Sequence, residues 1–154
     1  MRTIFIILLS FPFTAFGQIL IDDVGDGWKK KVDSAIVLIK KVSPYAWAVL
    51  DNSTNRVEFW LGDRSSTRPD PNFGKGTILM AVDEIELGIV NMAAVLVHES
   101  LHLHFHQNKL GLEPNHEEIT AYLWELVFLI QVPSCPVWLI KNAEYQISTL
   151  QSEK

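Results

Sequence analysis

The sequence predicts a single domain of the α+β class, in which a small antiparallel sheet of about three strands packs on about four helices. Short apolar or alternating segments between turn residues, typical of strands, occupy residues 45–82. Longer segments with apolar residues at three- and four-residue steps, typical of helices, occupy residues 28–42 and 87–150. The chain has 154 residues, 48% of them hydrophobic, so it can bury one sizeable core.

The first 17 residues have the three parts of a secretory signal peptide. Arg2 supplies the positive charge, Ile4–Phe13 is a short apolar run, and Ala15 and Gly17 are the small residues of a cleavage site. We expect loss of residues 1–17, export to the periplasm or the exterior, and no stable membrane insertion of the remaining domain, residues 18–154. A buried N-terminal strand and a retained anchor are the alternatives to this interpretation.

Charge and cysteine content narrow the range of partners and of folds. Residues 18–154 carry 12 basic and 18 acidic side chains, a formal charge of −6, without an extended cluster of lysine and arginine. Nucleic acid is therefore not expected as a partner. Cys135 is the only cysteine, so an exported chain would have no internal disulfide and would be held together by its core.

The first half of the domain predicts one helix followed by a hairpin. Trp28–Val42 has the apolar spacing of a helix, and Ser43 and Pro44 follow as its end. The apolar run Tyr45–Leu50 and the alternating run Arg56–Leu61 flank a turn-rich segment, which predicts two strands joined as a β-hairpin.

A long loop and a third strand come next. Arg64–Gly76 is rich in Ser, Pro, Asp and Gly, and its length suggests that it flanks a functional site. Thr77–Val82 is apolar and predicts the third strand. Three acids, Asp83, Glu84 and Glu86, precede the next helix, as a helix start favours.

The second half predicts three helices. The first runs from Leu87 to Lys109, with Gly111 as its stop signal. The second runs from His116 to Val132 with Asn115 as its N-cap, and the third is amphipathic and covers Ser134–Leu150.

The first of these helices contains the segment His98-Glu99-Ser100-Leu101-His102, a match to H-E-x-x-H. His98 and His102 are one helical turn apart, so both imidazoles can reach one Zn²⁺ ion. Glu99 would stand beside the metal without binding it and could take the proton of a water as general base. A histidine-rich helix end without a metal is the alternative to this hypothesis.

A third metal ligand has to come from elsewhere in the chain. The extension of the motif by H-x-x-G-x-x-H would need a glycine at position 105 and a histidine at 108, where the chain has Phe105 and Asn108. His106 continues the same helix face, but one straight helix does not easily wrap three turns around a tetrahedral ion.

Two acids at the start of the next helix remain as candidates. Glu117 and Glu118 follow His102 by fifteen and sixteen residues, which suits an antiparallel return past the metal. Glu118 shares a polar helix face with Tyr122 and Glu125, which favours it over Glu117. Either acid could instead be a favourable charge near a helix N-terminus.

His98-Glu99-x-x-His102, followed by Glu118-x-x-Ala121 in a second apolar helix, resembles the gluzincin pattern of zinc metallopeptidases. The short gap and the later Pro133 resemble the minimal ImmA/IrrE-type members, and the resemblance covers roughly residues 76–133. It implies a zincin-like fold, Zn²⁺ bound by His98, His102 and Glu118, and Glu99 as the catalytic base.

The expected function is hydrolysis of peptide bonds in a peptide or protein substrate, with zinc polarising the scissile carbonyl and Glu99 moving the proton. Thr77–Val82 is the candidate edge strand for pairing an extended substrate. Tyr122 could hydrogen-bond the oxyanion, or it could simply pack. The alternative function is a non-catalytic, zinc-stabilised binding module of an exported protein, with His106 or His116 closing the metal site.

Overall fold

The computed structural model describes residues 18–25 and 27–152. The predicted signal peptide, residues 1–17, lies outside the described residues. The strands are β1 (Leu20–Ile21), β2 (Thr54–Trp60), β3 (Ser66–Arg68) and β4 (Gly76–Ala81). The helices are α1 (Trp28–Val42), α2 (Pro44–Ser53), α3 (Val82–Glu86), α4 (Ile89–Gln107), α5 (Pro114–Leu129) and α6 (Val137–Ser152). The α+β class that the sequence predicts is confirmed, with six helices and a four-stranded sheet in this part of the chain.

The sheet is mixed, with strand order β1-β2-β4-β3, so the prediction of an antiparallel sheet is wrong, and the sheet has four strands where about three were expected. β2 pairs in parallel with β1 and β4, and only β3 runs antiparallel to its neighbour β4. β4 lies between two strands and is buried along nearly its whole length, which explains its continuous apolar sequence. The short strand β3 forms one edge of the sheet.

The predicted hairpin is replaced by a helix, α2, followed by β2. Pro44 is the first residue of α2, and the Ser43 hydroxyl accepts a hydrogen bond from the Ala46 N–H at 3.4 Å. Ser43-Pro44 therefore ends α1 and also starts a new helix, because proline fits the first helical position and serine caps it. The prediction of a strand for Tyr45–Leu50 is wrong because a short apolar run does not distinguish a strand from a buried helix.

Helix α4 lies at the centre of the helical layer and packs against α1, α2 and α5. Most of its apolar first half is buried, including Met92, Leu96 and Val97, although Ile89 at its start is exposed. The burial explains the absence of a polar stripe in this half of the helix. The His98-to-His102 segment follows directly, so the core fixes its position.

The ends of the predicted helices differ in detail from the structure. The three acids expected ahead of α4 belong to the short helix α3, and Gly88, with φ of 104°, separates α3 from α4. Lys109, not Gly111, takes the left-handed conformation after α4, with φ of 54°. Its N–H donates to His106 O and the Leu110 N–H donates to Phe105 O, which is the Schellman pattern. Pro114, not the expected cap Asn115, starts α5.

Within the described ranges, no helix combines the length and the apolar character that crossing a membrane requires.

Candidate metal centre

His98 and His102 lie one turn apart on α4 and point into a cleft between α4 and α5. Their Nε2 atoms are 3.2 Å apart, so both rings present the same nitrogen to one point. His98 is only 7% exposed and His102 is half-buried. Helical geometry brings the two rings to one face, and the buried helix holds them there.

Glu118, in the first turns of α5, brings a carboxylate to the same point. One carboxylate oxygen is 3.6 Å from His98 Nε2 and the other is 3.4 Å from His102 Nε2. Ligand atoms of His98, His102 and Glu118 all lie within 4.8 Å of one another, a grouping that could hold a metal ion. The structure thus brings together the three residues that the sequence predicts as metal ligands.

The other nitrogen of each histidine faces a different glutamate. His102 Nδ1 is 2.7 Å from a Glu117 oxygen, and His98 Nδ1 is 3.1 Å from a Glu125 oxygen. An ionised carboxylate only accepts hydrogen bonds, so in the neutral histidines each Nδ1 carries the proton and each Nε2 presents a lone pair to the centre.

Glu117, the alternative candidate for the third ligand, therefore contacts Nδ1 of His102 and not the nitrogen that faces the shared centre. Glu125 has the corresponding role for His98, which sequence reasoning did not assign. Its spacing of seven residues from Glu118, two helical turns, was the available signal.

The histidines and carboxylates at this point form an environment that favours positive charge. Burial by itself lowers the pKa of His98, but the carboxylates of Glu118 and Glu125 outweigh it and raise this pKa to about 10. The contact with His98 in turn lowers the pKa of Glu118. A proton or a metal ion satisfies such a cluster, and the two compete for the same nitrogens.

Glu99 follows His98 on α4 and is 9% exposed, but its carboxylate is not part of the ligand group. Burial raises the pKa of Glu99, while the charges of His98 and His102 act in the opposite direction. The side chain is thus a buried acid beside the cluster, as a general base requires.

Tyr122, one turn after Glu118, packs its ring edge-on against His98, with 4.5 Å between the ring centres. Burial, together with the neighbouring glutamates, raises the pKa of Tyr122 to about 12. The phenol therefore keeps its proton at neutral pH and is available as a hydrogen-bond donor.

A cleft of about 740 Å³ opens over the cluster and is lined by α4, α5 and the segment from Arg64 to Phe73. The long loop of the sequence prediction thus borders the cleft, and it contains β3. The expected edge strand, Thr77–Val82, corresponds to β4, which is an interior strand, so that prediction is wrong. β3 is the edge strand on the side of the cleft, and its residues Ser66 and Thr67 line the cleft.

The remaining histidines lie outside the cluster. His106 Nε2 contacts the carbonyl oxygen of Asp70 at 3.1 Å, and its ring stacks on Phe73 with 5.2 Å between centres. His104 is buried, which lowers its pKa, and His116 is exposed at the start of α5. In residues 18–25 and 27–152, no fourth histidine, cysteine or acid joins the group of three.

No protein-family model, curated protein or solved structure matches this chain.

Proposed function

We propose that the chain is a zinc metallopeptidase with a zincin-like core of gluzincin type, and that it hydrolyses peptide bonds in the cleft between β3 and α5. The observation that carries this proposal is the convergence of His98, His102 and Glu118, with Glu99 buried beside them. Two histidines and one acid form a set of ligands that catalytic zinc sites use, and the open side of such a site admits water and substrate.

The spacing of the two histidine nitrogens suits zinc. A tetrahedral ion at about 2.0–2.1 Å from each ligand needs ligand atoms about 3.3–3.4 Å apart. The two Nε2 atoms are 3.2 Å apart, and Glu118 places one oxygen 3.4 Å from His102 Nε2 and its other oxygen 3.6 Å from His98 Nε2. Two facing lone pairs and a carboxylate at such distances repel one another unless a proton or a metal ion lies among them, so the cluster is suited to bind a cation.

Zinc, when bound, would supply polarisation of the scissile carbonyl and a lower pKa for an attacking water. Glu99 would take the proton of that water and deliver it to the leaving amine. Its raised pKa suits both steps, because a base whose pKa lies closer to the working pH also returns the proton readily. Glu117 and Glu125 would hold the two imidazoles in the required orientation.

Two further features fit a peptide substrate. The free edge of β3 borders the cleft, and its unpaired backbone groups could pair with an extended peptide, which carries matching N–H and C=O groups. Tyr122, protonated at neutral pH, could donate to the oxygen of the scissile carbonyl as that oxygen gains negative charge.

The test is a comparison of the wild type with Glu99→Gln on a broad peptide library, with zinc measured in both. Gln is nearly isosteric with Glu but cannot take the proton. We therefore expect the fold and zinc to be retained and hydrolysis to fall by about a hundredfold to ten-thousandfold. Glu86→Gln is the matched control, because Glu86 lies outside the cleft and is exposed.

Equal hydrolysis by the wild type and Glu99→Gln would contradict the proposed role of Glu99. Zinc binding without any hydrolysis across the library would favour the binding module, in which the same cluster has a structural role.

A further inference from the structure

The cleft over the metal cluster is strongly acidic, and Arg64 lies at its rim. Five glutamates line the cleft, namely Glu84, Glu99, Glu117, Glu118 and Glu125. Two of them face the histidine Nδ1 atoms, one is the third candidate ligand, and one is the proposed base. Glu84 accepts hydrogen bonds from Ser65. Glu117, Glu118 and Glu125 contact the histidines, and none of the five glutamates forms an ion pair with Arg64.

Arg64 differs in this respect from the other arginines that the structure describes. Arg56 pairs with Asp22 at 2.7 Å, and Arg68 pairs with Glu58 at 2.8 Å. Arg64 is exposed and has no ion pair within the described ranges, although it is surrounded by a cleft rich in carboxylates. Its guanidinium is therefore available to a ligand in the cleft.

The backbone beside Arg64 is held firmly by Ser65. The Ser65 N–H donates to a Glu84 carboxylate oxygen at 2.8 Å, and the Ser65 hydroxyl donates to the same oxygen. The hydroxyl also accepts from the Ala81 N–H at 2.9 Å. These bonds tie the residue after Arg64 to the end of β4, so they hold the backbone beside Arg64 just before the edge strand β3.

Arg64 lines the same cleft as the candidate metal ligands. His98, His102 and Glu118 line this cleft together with Arg64, and Tyr122 does so as well. A group bound by Arg64 would therefore lie in the cleft that contains the proposed reacting centre.

We propose that Arg64 binds a carboxylate of the substrate and so fixes the position of the peptide relative to the metal. The planar guanidinium can hold a carboxylate through two parallel hydrogen bonds. The carboxylate would be either the C-terminus of a peptide or the side chain of Asp or Glu. This inference rests on the proposed function, since it names the substrate class of the same cleft.

The test measures peptide binding by calorimetry to the Glu99→Gln protein, so that the result does not depend on hydrolysis. The probes are acetyl-Ala-Ala-Ala as free acid, the same peptide as amide, and the amide of acetyl-Ala-Ala-Asp. Arg64→Gln is introduced into this background, and Arg68→Gln is the matched control, because Arg68 has the same charge but does not line the cleft.

We expect one carboxylate-bearing probe to bind about tenfold or more tightly than the neutral amide, since a hydrogen-bonded charge pair typically contributes that much. Arg64→Gln should remove the difference, and Arg68→Gln should keep it. Preference for the free acid would identify the C-terminal carboxylate, and preference for the Asp amide would identify a side chain.

Equal or undetectable binding of all three probes would overturn the inference, as would a preference that persists in Arg64→Gln. Hydrolysis by the wild type in that case would leave the proposed function standing, so the two failures can be distinguished.

Discussion

Two buried polar regions of this molecule differ in how their polar atoms are satisfied. In the candidate metal centre between α4 and α5, both nitrogens of His98 and of His102 have a polar partner. At the end of α2, Asp51 is 3% exposed, and its Oδ1 has no hydrogen-bond partner within the described part of the chain. Thr54 Oγ1, at the start of β2, is buried and unpartnered in the same way.

The difference shows what separates a group of residues that could hold a metal ion from incidental burial. Burying a polar group costs free energy in both regions. In the cluster the groups converge on one point, and a second set of carboxylates orients them, so a cation would satisfy all of them together. Asp51 is not part of such a convergent group, and the two cations that influence its carboxylate, Lys75 and Lys40, act on it separately. Lys75 donates to its backbone oxygen at 2.5 Å, and the charges of Lys75 and Lys40 only partly offset the effect of burial on its pKa.

The largest expected effect on zinc affinity comes from removing the carboxylate that meets the two histidines at the candidate metal centre. Glu118→Ala should reduce zinc affinity by more than the roughly 10- to 100-fold typical of residues that only orient a ligand. Glu117→Ala should fall within that smaller range, because Glu117 contacts Nδ1 of His102 and not the shared centre. Zinc dissociation constants from competition with a chromophoric chelator measure both effects. A greater loss in Glu117→Ala would mean that the ligand assignment is wrong by one residue.

A smaller effect is expected from removing the support of His98. Glu125→Gln keeps the size of the side chain but removes the charge that orients the His98 ring. Zinc affinity should fall by about 10- to 100-fold with little change in the fold. The same chelator competition and a far-UV circular dichroism spectrum measure this. Glu144→Gln, on the exposed surface of α6, is the control, and an equal change in both variants would contradict the role of Glu125.

The smallest effect concerns the region at the end of α2. Burial raises the pKa of Asp51 above its ordinary value of 3.8, so the ionised carboxylate destabilises the folded state. The penalty is absent below pH 3.8, where the group is protonated in both states, and it develops as the pH rises through the higher pKa of the folded state.

Asp51→Asn should therefore raise the free energy of unfolding at pH 7 by about 1 kcal/mol, and by less near pH 4. Urea denaturation at the two pH values measures this, with Asp63→Asn on the exposed bend after β2 as the control. A gain that is the same at both pH values would show that the charge of Asp51 is not its cause.

Local patterns in the sequence predicted much of the helical layer. The bounds of α1 agree with the apolar spacing of Trp28–Val42. The placement of His98 and His102 on one face of a buried helix follows from their spacing of four residues and from the apolar run before them. These features depend on contacts within one helix, which the sequence alone specifies.

The pairing of strands from distant segments could not be predicted from local sequence patterns. The direction of β3 against β4, and the interior position of β4, depend on which strands meet across the sheet. The turn-rich sequence around Ser66–Arg68 contains a strand that local patterns do not predict, because this strand forms only by pairing with β4. The same reason explains why the edge strand of the cleft was assigned to the wrong segment.

Local sequence patterns were enough to predict the α+β class, the motif helix and the pair His98 and His102, and they favoured Glu118 over Glu117 as the third residue of the candidate metal centre. Which side of each histidine faces which acid follows from the packing of α5 on α4. Glu117 and Glu118 are neighbours on α5, but in the packed helices Glu117 contacts Nδ1 of His102, whereas Glu118 lies near the two Nε2 atoms. Spacing within a helix sets the direction of each side chain about the axis of that helix, but the residue that the side chain meets depends on how two helices pack.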